Sequence, residues 1–258
     1  MRAIRRHAWA TAAAATAAAA VTALVGAGCA PTPDTAAGAP ALLARAIAYA
    51  GGEEALGRAT AFTWDGDAVV HAGGRTVAIT GRWAIQPPDT AIVATYAVDR
   101  GPATTRSMVV AAPRGWTAAN GEFTPLPAAV LANERDEFYL YSVLRLVPLL
   151  ERGVSLVSLP ADSAGHAAFG ARQAGRPDVD VYVDGEGRVV RLRTTVAHPA
   201  TGAPASQELL FAGTLSAGGI RWPRTMRITL DGAPYFDLEM RNLRVLPRLD
   251  DALLSGPR

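Results

Sequence analysis

The chain has 258 residues, half of them hydrophobic, with 25 basic residues against 23 acidic ones and a single cysteine. Every basic residue is arginine, which excludes Schiff-base chemistry and a phosphate loop built on lysine. One cysteine excludes an intrachain disulfide, and no basic stripe interleaved with aromatics points to nucleic acid.

Arg2, Arg5 and Arg6 precede an uncharged, Ala-rich run that ends in Leu24, Val25, Gly26, Ala27, Gly28 and Cys29. A basic start, an apolar middle and small residues at the exit predict a secretory signal peptide over 1–28. The last residues resemble a bacterial lipobox, which implies lipidation of Cys29 as the first mature residue. Gly26 stands where that pattern usually has leucine. Ordinary cleavage near Ala27 and an uncleaved anchor are the alternatives, although the run barely reaches the ~20 apolar residues of a span. Without the three leader arginines, 22 basic residues face 23 acidic ones, so the remainder is close to neutral. Ala30 follows the cysteine where an inner-membrane retention signal would have aspartate. By resemblance to Gram-negative sorting rules, this implies an outer-membrane protein, lipid-anchored and facing the periplasm.

Residues 29–40, rich in proline and alanine, read as a tether. A helix follows over 41–50, with Leu42, Leu43, Ala46 and Ile47 on one stripe and Gly51-Gly52 as its stop. From Phe62 the period is two. Alternating runs over 62–70 and 77–85 flank Gly73-Gly74, and further runs follow over 91–98 and 106–112, with Asn120-Gly121 as another hairpin signal. The period then lengthens. Residues 131–152 read as one apolar helix, split or kinked at Pro148 and buried on most sides. Strand patterns resume at 154–159, 179–183, 190–196, 208–215, 225–230 and 235–245, with charges on alternate positions. No internal boundary interrupts 41–258, which is expected to be a single domain.

Few constellations suggest chemistry. Ser163, between Asp162 and Gly165, is one residue away from a nucleophile elbow, with Asp178, Asp180 and His198 following in hydrolase order. An elbow needs a parallel sheet, and the surrounding pattern is antiparallel, so no catalytic residue is assigned. His71, His166 and His198 lack metal-ligand spacing, Asp178, Asp180, Asp184 and Glu186 do not match a calcium loop, and neither metal nor cofactor is expected. Asp136 and Glu137 read as complementing a helix dipole. The aromatic residues say more. Trp64, Trp83, Trp116 and Trp222 sit in four strands, and Phe138, Tyr141 and Leu144 on the helix. They either fill a core or line a partly open apolar pocket.

Three stretches carry a resemblance: Ala50 to Leu56 at the first helix, Gly81-Arg82-Trp83 with Pro87-Pro88-Asp89, and Gly218 to Pro223 before the closing strands. With them, the chain resembles the envelope lipoprotein-sorting (Lol) superfamily. The resemblance implies an α+β, mainly β fold, a strongly curved antiparallel sheet or unclosed barrel with helices plugging its concave face. It also implies a non-catalytic envelope lipoprotein whose pocket binds acyl chains or a lipidated partner. The alternatives are a regulatory or scaffolding module that binds another envelope protein and, remotely, an esterase built on Ser163.

Overall fold

The computed structural model describes residues 38–250 and Leu254; Cys29 and the leader lie outside the described residues. Helices α1 (Ala39–Ala50) and α2 (Glu53–Arg58) come first. A meander follows: β1 (Ala61–Ala72), β2 (Arg75–Gln86), β3 (Thr90–Ala97), β4 (Arg106–Ala111), β5 (Arg114–Ala119) and β6 (Glu122–Pro125). Helix α3 (Ala128–Leu144) leads to a second meander. This comprises β7 (Val154–Leu159), β8 (Ala167–Gln173), β9 (Val179–Val183), β10 (Val189–Ala197), β11 (Pro204–Ala217), β12 (Ile220–Leu230) and β13 (Ala233–Leu246).

All thirteen strands form one antiparallel sheet in the order β6-β5-β4-β3-β2-β1-β13-β12-β11-β10-β9-β8-β7. The chain therefore starts in the middle at β1, works outward to β6, and re-enters at the opposite edge, β7. The second meander then returns to pair β13 with β1, from Ala61 opposite Leu246 to Val70 opposite Phe236. The sheet is not closed, because β6 and β7 do not pair. Only α3 and its flanking turns connect those two edges.

Two-residue alternation gives the sheet an apolar inner face. Phe62 and Trp64 of β1 lie opposite Ile85 and Trp83 of β2. The same core takes in Leu42, Leu43, Ala46 and Ile47 of α1 and Phe138, Tyr139, Leu140 and Val143 of α3. Helix α1 ends at Gly51, whose φ of 127° and tight fit both require glycine: a Cβ there would collide with the Gly219 carbonyl in the β11–β12 turn. A smaller cluster of Ala61, Ala84 and Leu249, joined by Ile92, Leu246 and Leu254, lies on the outer face.

The structure revises several boundaries. Ala39 and Pro40 already belong to α1, with proline in the first turn where its missing N–H costs nothing. Helix α3 begins at Ala128 and ends at Leu144. Leu146 then adopts a φ of 64°, and Val147–Leu150 form a separate 3-10 turn, so the split falls just ahead of Pro148. Asp136 and Glu137 therefore sit well inside α3, where they do not complement a helix N-terminus.

One ion cluster ties distant parts of the curved sheet together. Asp89, in the β2–β3 turn, accepts hydrogen bonds from both terminal nitrogens of Arg176 at 2.9 Å and from Arg135 Nε of α3 at 3.2 Å. Arg176 is in the β8–β9 turn, and five strands separate β2 from β9 within the sheet. The hydrogen bond from Arg176 holds the Asp89 carboxyl below its usual pKa, against the opposing effect of burial. A depressed folded pKa contributes stability above the unfolded value near 3.9, and that contribution is lost as pH falls through the folded pKa. Asp89→Asn is expected to lower the unfolding free energy by ~1–3 kcal/mol at pH 7. In urea melts, the difference from the wild type should shrink below pH ~4.

Candidate ligand-binding face

The inner face is organised around Tyr141 of α3. Its ring centroid lies 5.7 Å from Trp64, 6.5 Å from Trp222 and 6.2 Å from Phe138. Trp64 is parallel to Trp83 at 6.5 Å, and Phe62 stacks on Trp222 at 4.5 Å. Offset aromatic packing at these distances adds to the burial of large apolar surfaces. The helix brings Tyr141 to this floor because residues 134, 137, 138, 141 and 144 fall on one stripe.

Of the seven sequence candidates, five meet in this cluster: Trp64, Trp83, Phe138, Tyr141 and Trp222. Leu144 lies at its end, lining a cavity of about 30 Å³ with Ala46, Tyr49, Phe211 and Trp222. That is room for about two water molecules, far below the ~300 Å³ at which ligand pockets begin. Around Tyr141 the inner face is thus filled by the helices that cover it. Trp116 is elsewhere. It pairs with Val109, which pairs with Ile92 of the outer cluster, so Trp116 is buried on the outer face of the sheet. It does not join the aromatic floor.

A larger depression lies on the outside. A groove of about 690 Å³ is bordered by two outward-facing rows, one of Asp67, Glu239, Thr225 and Ala212, the other of Val69, Asp237, Arg227 and Leu210. The aromatic floor does not contribute to it.

Sequence reasoning missed the polar groups beneath α3. Glu137 accepts a hydrogen bond from Gln207 Nε2 at 2.7 Å, and Gln207 is fully buried with its Oε1 unpartnered. Burial pushes the Glu137 pKa up to about 7, and the neighbouring Glu134 and Asp136 reinforce that shift against the Gln207 bond. Burial likewise raises Glu134. Tyr235 is placed nearby by a register shift between β12 and β13; burial raises its phenol, with Glu137 and Glu134 adding to the effect. The indole N–H groups of Trp64 and Trp222 are also buried without partners. The seat of α3 therefore combines a strongly apolar floor with several unsatisfied polar atoms. The available signal for Glu137 was its spacing, three and four residues from Leu140 and Tyr141.

The hydrolase constellation is not assembled. Ser163 is exposed in a turn that Asp162 braces by accepting the N–H groups of Ala164 and His166. Asp178 pairs with Arg172, Asp180 with Arg172 and Arg193, and His198 Nδ1 accepts the N–H of Ala200. His166 pairs with Asp162, and His71 with Asp237.

No family model matches the sequence, and no curated protein matches it. Solved structures do. A DUF1329 family protein from Desulfovibrio piger aligns with a TM-score of 0.55 at 10% identity, covering 84% of this chain and 97% of that one. A LolA superfamily protein from Nitrosomonas europaea aligns with 0.54 at 10% identity, over 86% and 99%. A putative outer membrane lipoprotein-sorting protein domain from Vibrio parahaemolyticus gives 0.50 at 13% identity, over 77% and 92%. The chain has a LolA-like fold.

Glu137→Gln isolates the cost of the buried carboxylate. A raised folded pKa means stability is fully present below the unfolded value near 4.5 and is lost as pH rises toward 7. The variant keeps the neutral shape and supplies an N–H for Gln207 Oε1. It is expected to be more stable than the wild type by on the order of 2 kcal/mol at pH 8. Thermal melts should show this gain fading between pH 7 and pH 4.5.

Proposed function

We propose that the protein is a non-catalytic lipoprotein of the bacterial envelope. Its apolar inner face receives acyl chains, or a lipidated partner, when α3 is displaced. The observation that carries this reading is the seat of α3. An aromatic floor as wide as Trp64, Trp83 and Trp222 suits a hydrocarbon ligand, while the unpartnered indoles and the enclosed Glu137 weaken the helix's hold on it. Two of the structural neighbours, described as a lipoprotein-sorting domain and a LolA superfamily protein, support the reading at the level of fold. A turn-bound Ser163 and a wholly antiparallel sheet support a binding role over an esterase.

The test is titration with a fluorescent fatty-acid analogue. Saturable binding is expected, and Leu144→Ala should tighten it, because a looser α3 costs less to displace. The same variant should lose roughly 2–3 kcal/mol of stability, at the low end for a buried leucine. Absence of binding in both proteins would sink the proposal. That result would favour the second reading, a module that binds another envelope protein, for which the outer groove with its 38%-exposed Leu210 is the relevant surface.

Anchoring rests on Cys29. Cys29→Ser is expected to move the protein from the membrane fraction to the soluble one, or to leave it as an unprocessed precursor. A cleaved variant that stays on the membrane would remove lipidation from the proposal.

A further inference from the structure

A second cavity, of about 240 Å³, lies where α3 and the 3-10 turn after it face the β2–β3 turn and β8. Tyr139, Ser142, Arg145, Glu151, Gln173 and Arg176 contribute its polar lining. Arg145 is the unusual member. It is only 8% exposed, and its Nε has no partner. Its guanidinium makes one hydrogen bond, from a terminal nitrogen to the Leu56 carbonyl at 3.4 Å. Among the described residues, no carboxylate forms an ion pair with it, whereas Arg172, Arg176, Arg191 and Arg193 each have at least one. A buried cation without a counter-charge is costly to keep.

The surrounding groups do not neutralise it. Arg176 is a second cation on the cavity wall, lying 5.2 Å from the Tyr139 ring centroid, but its charge is committed to Asp89. Glu151 is exposed at the rim, close enough to favour the charged guanidinium while burial disfavours it. Gln173 accepts a long hydrogen bond from the Tyr139 hydroxyl through Oε1, which leaves its amide N–H₂ as a donor. Ser142 is buried on the same wall. The cavity therefore gathers polar groups of several geometries beside Arg145, whose guanidinium has no ion-pair partner among the described residues. An oxyanion with three or more oxygens uses such a set better than a carboxylate does, and arginine forks match phosphate geometry.

We propose that this cavity is a phosphate-binding site, with Arg145 as its principal ligand and Ser142 and Gln173 as supporting donors. The site is separate from the aromatic floor and does not rest on the carriage of acyl chains. The phosphate is either a free anion or the headgroup of a lipid, and the probes distinguish the two sources.

The experiment measures thermal stabilisation of the full chain at constant ionic strength, using inorganic phosphate and dihexanoyl phosphatidic acid as probes. Wild-type protein is expected to show saturable stabilisation by at least one of them below ~10 mM. A response to inorganic phosphate identifies free phosphate as a ligand, and a response to the lipid alone identifies a headgroup site. Arg145→Gln should weaken binding by at least about tenfold, the loss expected for a charge-assisted pair. Because Arg145 also holds α2, Ser142→Ala and Gln173→Leu provide independent variants, each expected to weaken binding by about threefold for a lost neutral hydrogen bond. Failure of both probes to stabilise the wild type would overturn the site. So would wild-type affinity in all variants that fold.

Discussion

A sheet whose two edge strands are joined by a single helix must carry that helix across its own face. The thirteen strands alternate direction with short links everywhere except between β6 and β7, which lie at opposite edges. In this chain the connection from one to the other runs across the inner face. Helix α3 is that crossing. Its apolar stripe, its place over the strands that hold Trp64 and Trp222, and the bracing of its first half by Arg135 on Asp89 follow from that route. Helix α1 has a different position, because it precedes the sheet and packs beside β7, β8 and β12 without connecting edges.

Much of this was legible in the sequence because two signals were strong. Period-two alternation over 62–85 and 190–245 located most strands, and the apolar run beginning at Phe138 required a buried helix. Where the signal failed, the physical cause is specific. In β8, four consecutive residues from Ala168 to Ala171 are buried, so the strand shows no alternation at all. Its small residues, alanine and Gly170, offered no β-branched pattern either. Helix α3 starts at Ala128 behind Pro127 without any side-chain cap, so nothing announced its first turn. Trp116 illustrates a deeper limit. Alternation shows which residues of a strand share a face, but the cross-strand register with Val109 decides which face is outward.

The absence of lysine shapes how charge is used. Each of the turns that looked like a metal or catalytic site is an aspartate satisfied by backbone N–H groups and an arginine. Asp162 accepts from Ala164 N, His166 N and Arg191; Asp184 repeats the pattern with Glu186 N, Arg188 N and the Arg188 side chain. Planar guanidinium groups suit this double duty, since one fork reaches a carboxylate while the stem covers apolar surface. Arg191 also lays its guanidinium over Tyr182, with the guanidinium carbon 3.8 Å from the ring centroid. Against this background of paired arginines, Arg145 stands out as a buried one with no carboxylate partner among the described residues.

The two long helices that fill the inner face are therefore unequal. The buried row of α1 is uniformly aliphatic or alanine, from Leu42 to Ala50, and its end is locked by the close approach of Gly51 to the β11–β12 turn. Helix α3 seats a carboxylate, covers indole donors that find no acceptor, and exits through Leu146, whose left-handed backbone is unfavourable for a bulky side chain. Each feature raises the free energy of the seated helix relative to a displaced one, while the aromatic floor favours covering by some apolar surface. On the proposed function, a hydrocarbon ligand would satisfy that floor without burying Glu137, and the same polar groups that weaken the helix's seat would favour its exchange for that ligand. Protonation of Glu137 works in the opposite direction, stabilising the seated helix as pH falls below about 7.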